Sequence, residues 1–180
     1  WIAADLIAQA EHDEKAQSIL ITDDENFSNK VLSSLKILIH QLPKKSVINK
    51  SLNKYGLIII VDDIKESSDI INFIAPEHLH LQNKLRHSIL KDINNAGCIF
   101  MGKYSSEAFG DYIIGTNHIL PTSGTAKFSS GLGVLDFMKR NSVVRINSKS
   151  FNSLKEDTKK MANIEGLDAH KMSVKIRQRK

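Results

Sequence analysis

Apolar and polar positions along this chain follow two rhythms, one helical and one typical of buried strands. Leu6, Ile7 and Ala10 recur at helical spacing within Asp5 to Gln17, and the short run Ser18 to Thr22 reads as a strand. Val31, Leu32, Leu35, Leu38 and Ile39 mark a long helix that Asp23 or Asp24 can cap and Pro43 stops. A further helix, Ser46 to Tyr55, ends at Gly56, the residue type expected at a left-handed helix cap. Leu57 to Val61 is an uninterrupted β-branched run of the kind that parallel strands show when both faces are covered. A helix over Ile64 to Ile74, a strand candidate at His80 to Gln82, a helix from Asn83 to Asn94 and a strand from Cys98 to Met101 follow. This βαβα order predicts an α/β fold: part of a doubly wound parallel-sheet domain.

After about Phe137 the pattern changes. Ser142 to Ile146 is a strand candidate, Ser153 to Glu165 a charged helix ending at Gly166, and a basic end follows. This segment has too few apolar residues to close a core of its own. We therefore expect an α/β portion over residues 1–137 and a mostly helical tail over 138–180 that packs on the main body or on another chain.

Charge changes the picture less than its total implies. The net charge is +5, yet Lys171, Lys175, Arg177, Arg179 and Lys180 lie within the last ten residues, and the rest is balanced. A basic end without interleaved aromatics reads as a solvated tail, so a nucleic-acid partner is not expected. No apolar run approaches the roughly 18 residues that span a bilayer, so no membrane partner is expected either. The single cysteine, Cys98, rules out an internal disulfide and fits a reducing, cytoplasmic setting. The opening Trp1-Ile2-Ala3-Ala4 reads like the middle of a longer protein.

Candidate chemistry gathers at three places. Residues 101–138 have neither period and carry Asp111 and His118 among many Gly, Ser and Thr, as a loop at a surface or site does. Gln9 and His12, three apart on the first predicted helix, share a face there, although a solvated helix end would read the same. Glu77 and His78 follow the break at Pro76 and form a possible acid/base pair, as any surface Glu-His dipeptide would. His40, His80 and His87 read as structural. As a metal set, Gln9, His12, Asp111 and His170 offer an amide oxygen, two imidazoles and a carboxylate, a mix that suits zinc. Spacing alone does not bring these four together. A dinucleotide fingerprint is not evident, because Gly131-Leu132-Gly133 lacks the third glycine and follows no strand.

Five ordered blocks carry a resemblance over essentially the whole chain. They are Trp1 to His12 (WIAADLIAQAEH), Ile74 to Leu79 (IAPEHL), Asn95 to Gly102 (NAGCIFMG), Gly110 to Arg140, and Glu165 to His170 (EGLDAH). In them the chain resembles the C-terminal portion of the histidinol dehydrogenase family. The resemblance implies NAD-dependent oxidation of L-histidinol through L-histidinal to L-histidine, in histidine biosynthesis. It implies one Zn²⁺ per subunit held by Gln9, His12, Asp111 and His170, with Glu77 and His78 as proton acceptors. The four zinc-site residues and His78 would also contact substrate, as would His118 and Glu165. It further implies an intertwined homodimer in which one subunit's tail lends its histidine to the other's zinc. The NAD contacts are expected upstream of Trp1. The alternative expectation is a truncated, non-catalytic remnant of the family that binds metal or partners.

Overall fold

The computed structural model describes residues 1–178. The two outermost basic residues of the end discussed above, Arg179 and Lys180, lie outside them. The chain divides into two compact units, Trp1–Phe137 and Met138–Lys180.

In the first unit, helix α1 (Ile2–Ala10) precedes strand β1 (Ile19–Thr22), helices α2 (Glu25–His40) and α3 (Lys45–Tyr55), and strand β2 (Leu57–Ile60). Helix α4 (Ser67–Ile74), strand β3 (His78–Leu81), helix α5 (Arg86–Leu90), strand β4 (Cys98–Met101) and helix α6 (Glu107–Tyr112) follow. The fold is α/β with parallel ladders: β1 pairs with β2, and β3 with β4. Ala3, Ile7 and Ala10 of α1 recur at helical spacing and meet Leu20, Val31, Leu35 and Ile48 in one core. A second core joins Val61, Ile64, Ile71 and Ile89 to Leu79 and Leu81 of β3, with Ile21 and Ile59 of the other ladder packed against it.

Several boundaries differ from those read in the sequence, each for a local reason. Helix α1 stops at Ala10 rather than near Gln17, because the Asp13 carboxylate accepts from the Lys15 amide at 2.7 Å and holds a turn there. His12 therefore lies beyond the helix, not on a shared helical face with Gln9. Asp24 is the α2 cap, accepting from the Phe27 amide at 2.9 Å. Gly56 is extended (φ −67°, ψ 139°), not left-handed. Its requirement is space: a Cβ there would sit 2.4 Å from the Leu52 carbonyl oxygen. The expected helix over 83–94 shrinks to α5. Asn72 takes the amides of Asn94 and Asn95 on its side-chain oxygen, at 2.8 and 3.1 Å, and offers the backbone an alternative to helix.

In the second unit, helix α7 (Ser148–Ile164) is capped by Asn147, whose side chain accepts from the Ser150 amide at 2.8 Å. The helix closes on left-handed Gly166 (φ 69°), with the Leu167 amide donating to Ala162 and the Gly166 amide to Asn163. Helix α8 (Asp168–Ile176) follows within the mostly helical tail, where only a basic end was read. The expected strand at Ser142 to Ile146 is absent. These residues pair with no ladder, and Val143 and Val144 stand exposed. Among the described residues of this unit only Ala162 is buried. No helix of the described residues is long and apolar enough to cross a membrane.

Candidate active site

The entry to β3 is built by a left-handed turn. Ala75 ends α4 at φ 53°, ψ 65°, a conformation that costs a residue with a Cβ roughly 1–2 kcal/mol. Pro76 then breaks the helix and sends the chain through Glu77 into the strand. The backbone is fixed on both sides of the turn, since the Gly97 amide donates to Pro76 at 2.9 Å and the Cys98 amide to Glu77 at 2.8 Å.

Strand alternation then sorts the side chains. Leu79 and Leu81 enter the core, and His78 and His80 share the opposite face. Phe100, paired with His80 in the register, forms the floor: it stacks on the His80 ring at 4.9 Å and meets the His78 ring at 6.0 Å. Helix α6 lies over this floor. Glu107 and Asp111, four apart, project from one side of it toward the imidazoles.

Glu107 is the hub. It is 4% exposed, and its carboxylate lies 3.9 Å from His12 Nε2, His78 Nδ1 and His80 Nε2. His78 Nε2 is 3.8 Å from Asp111, and His80 Nδ1 is 3.7 Å from Asp5. Acids and imidazoles thus alternate from Asp5 through His80, Glu107 and His78 to Asp111. These are ion-pair rather than hydrogen-bond distances, and the ring nitrogens of His78 and His80 are buried with no hydrogen-bond partner. Buried polar atoms in that state are usual where a ligand or ion completes the site. His12, Glu107 and Asp111 each offer a donor atom, and these lie within 4.8 Å of one another, a spacing that could hold a metal ion.

The electrostatics differ between the acids. For Glu107 burial is the largest single influence and pushes the carboxyl up, yet the imidazoles of His80, His78 and His12 together outweigh it and hold the carboxyl below its ordinary value. Burial pushes Glu77 above its ordinary value, with nearby Glu107 and Asp111 adding to the rise and His78 opposing it. Burial likewise raises Asp5, against the pull of His80. It also pushes the Cys98 thiol up, which disfavours a thiolate nucleophile on β4.

The site residues expected from sequence fall into three groups. His12, His78 and Asp111 belong to the cluster, and Glu77 lies within its field. Gln9 shares the turn of His12, whose amide meets the Gln9 carbonyl at 3.4 Å. His118 is exposed on the loop after α6. Glu165 and His170 belong to the second unit, exposed on either side of the Gly166 turn.

Three residues of the cluster were not read as functional: Asp5, His80 and Glu107. A strand begun at His78 instead of His80 places both imidazoles on one face, so that signal was present. Glu107 was hidden because the segment was read as irregular. The i, i+4 spacing of Glu107 and Asp111 carries meaning only once α6 is a helix.

Gly110 sets how closely α6 approaches the floor. A Cβ there would lie 2.8 Å from two ring carbons of buried Phe100, and a packed ring cannot yield by that much. Gly110→Ala is expected to lift the helix that carries Glu107 and Asp111. Thermal unfolding should show a loss of about 1–3 kcal/mol, the range for overpacking a core. An unchanged melting temperature would show that α6 does not rest on Phe100.

Relatives give the cluster a context. The histidinol dehydrogenase family profile matches residues 1–178. The chain is 43% identical over 178 residues to the histidinol dehydrogenase of Aquifex aeolicus, covering 99% of this chain and 42% of that protein. It is 49% identical over 177 residues to that of Nitrosomonas europaea, covering 98% of this chain and 41% of that protein. The crystal structure of histidinol dehydrogenase from Elizabethkingia anophelis superposes with a TM-score of 0.91 at 37% identity, over 98% of this chain and 41% of that one. The chain thus spans about two fifths of the length of these relatives. With the family profile, the relatives and the solved structure all matching across nearly the whole of its length, the chain belongs to the histidinol dehydrogenase family.

Proposed function

We propose that this chain is the C-terminal part of a zinc- and NAD-dependent dehydrogenase that oxidises L-histidinol through L-histidinal to L-histidine. The observation that carries the reading is the convergence of His12, Asp111 and His78 beside Glu77, from three separate segments, in a chain of this family.

The donor set fits zinc. His12 and Asp111 are already gathered, Gln9 shares the turn of His12, and His170 is the fourth proposed ligand. Zinc, when bound there, supplies a Lewis-acid anchor for the nitrogen groups of the amino alcohol. The remaining chemistry belongs to protein groups. His78 Nε2 takes the proton of the substrate hydroxyl as hydride leaves from the same carbon, which gives the aldehyde. Glu77 then takes a proton from water as that water attacks the aldehyde, and a second hydride departure gives the acid. Glu165 pairs with the substrate ammonium, and His118 is a further substrate contact. The Gly131–Gly133 segment follows no strand, and in this reading the NAD contacts lie upstream of Trp1.

A second unit in which only Ala162 of the described residues is buried gains stability by covering its exposed apolar side chains, including Val143, Val144 and Ile164. We place that cover on a partner subunit, in a homodimer where each tail presents Glu165 and His170 to the other protomer's site.

The test uses a full-length protein that carries this chain. L-histidinol should drive NAD reduction, a strong chelator should abolish it, and added zinc should restore it. His12→Asn should lose zinc while keeping the folded circular-dichroism spectrum. Folded, zinc-loaded protein that leaves L-histidinol untouched would refute the reading.

A further inference from the structure

Glu107 stands at the centre of the cluster, yet the chemistry above gives it no role. It is the most buried carboxylate of the site, at 4% exposed, and three imidazoles face it at 3.9 Å. Burying a carboxylate that deeply without a partner is costly, so its surroundings must supply donors. Helix α6 fixes its direction, since Gly110 seats that helix on Phe100. The far side of the carboxylate is also fixed: Oε2 faces His80, which stacks on Phe100 and is held in turn by Asp5 at 3.7 Å. Asp5 itself accepts from the Gln82 amide at 3.3 Å. A rigid buttress therefore stands behind Glu107, and its other oxygen, Oε1, points at His78 Nδ1.

Which nitrogen of His78 carries the proton decides whether His78 can act as a base. A neutral imidazole has one N–H and one lone pair, and the group facing one nitrogen settles the form of the other. Both nitrogens of His78 face carboxylates, Glu107 at Nδ1 and Asp111 at Nε2. The two are not equal. The Asp111 side chain is 22% exposed and open to water, whereas that of Glu107 is 5% exposed and backed by His80. We propose that Glu107 is the positioning residue of His78: its charge, 3.9 Å from Nδ1, holds the proton on that nitrogen, orients the ring, and leaves Nε2 bare toward the substrate hydroxyl. His80 and Asp5 hold Glu107 for that task. Outer groups that orient a working histidine in this way are well attested around metal sites and catalytic triads. The inference rests on the proposed dehydrogenase reading for its kinetic consequence, but not for its structural one.

The experiment compares wild-type and Glu107→Gln full-length protein, zinc-loaded, by ¹⁵N-imidazole NMR and by steady-state oxidation of L-histidinol. In the wild type the His78 signals should show the Nδ1–H form. In the variant, whose amide must present a donor to one of the imidazoles, a mixture of forms should appear. Turnover should fall by about 10–100-fold, the usual cost of removing an orienting partner, with KM within about threefold and zinc content unchanged. If Glu107→Gln does not fold, Glu107→Asp, which withdraws the carboxylate by one methylene, should show the same two changes. Identical His78 signals in variant and wild type would overturn the proposal, and so would unchanged turnover. Loss of zinc would overturn it too, by making Glu107 a ligand. Wild-type protein without L-histidinol activity would sink the dehydrogenase reading alone, and the His78 signals would still decide the positioning role.

Discussion

His78→Asn is expected to slow oxidation of L-histidinol by roughly 10²–10⁴-fold, the usual contribution of a positioned general base. The side chain is only 12% exposed, held between Glu107 and Asp111 above the Phe100 ring. Asparagine keeps a polar group near the Nδ1 position, so the loss should fall on chemistry rather than on folding. It cannot take a proton at neutral pH. Zinc content should be unchanged, because His78 is not among the proposed ligands. Supplied L-histidinal should still be converted to acid at a rate closer to wild type, since water attack uses Glu77. Full-length variant protein, assayed separately with alcohol and with aldehyde, gives the answer. Equal losses in both half-reactions would show that the two residues work as one unit, and the division of roles would fail.

Much of this was legible before any coordinates, but unevenly. Long, strongly periodic segments such as α2 emerged with their caps, because Asp24 and the Val31, Leu35 spacing act over one or two turns. The β-branched run of β2 and the strand Cys98–Met101 were equally direct. Competition between side chains and backbone was harder to foresee. Asp13 ended α1 early and Asn72 shortened α5, through hydrogen bonds whose partners are not evident from periodicity. His12, His78 and Asp111 stood out as chemical types, and the family resemblance drew them together when spacing could not. Glu107 escaped both routes. A glutamate in an aperiodic stretch reads as solvated, and only the seating of Gly110 on Phe100 turns it inward. The same holds for His80, whose role depends on a strand that begins two residues earlier than its apolar pattern implied.

Glu77→Gln is expected to act on the other half of the reaction, and its pH dependence gives it a distinct signature. Burial, reinforced by Glu107 and Asp111, lifts the Glu77 carboxyl above its ordinary value. A base with a raised value is better matched to taking a proton from water near neutral pH. The aldehyde step should therefore fall on the acid side as Glu77 becomes protonated, at a higher pH than an unshifted glutamate would give. In Glu77→Gln that acid limb should vanish along with most of the rate, a loss of about 10²–10⁴-fold, because a neutral amide accepts no proton from water. Stability should move the other way. A carboxyl raised in the folded state binds its proton more tightly there than in the unfolded chain, so its contribution is favourable below the unfolded value. That contribution is lost as pH rises through the folded one. At neutral pH the ionised Glu77 is thus a burden on the fold, and Glu77→Gln should melt no lower than wild type and keep its zinc. Rate-pH profiles on supplied L-histidinal, with melting curves at neutral pH, test both halves. An acid limb that persists in Glu77→Gln would assign it to another group, and water activation would have to be moved from Glu77.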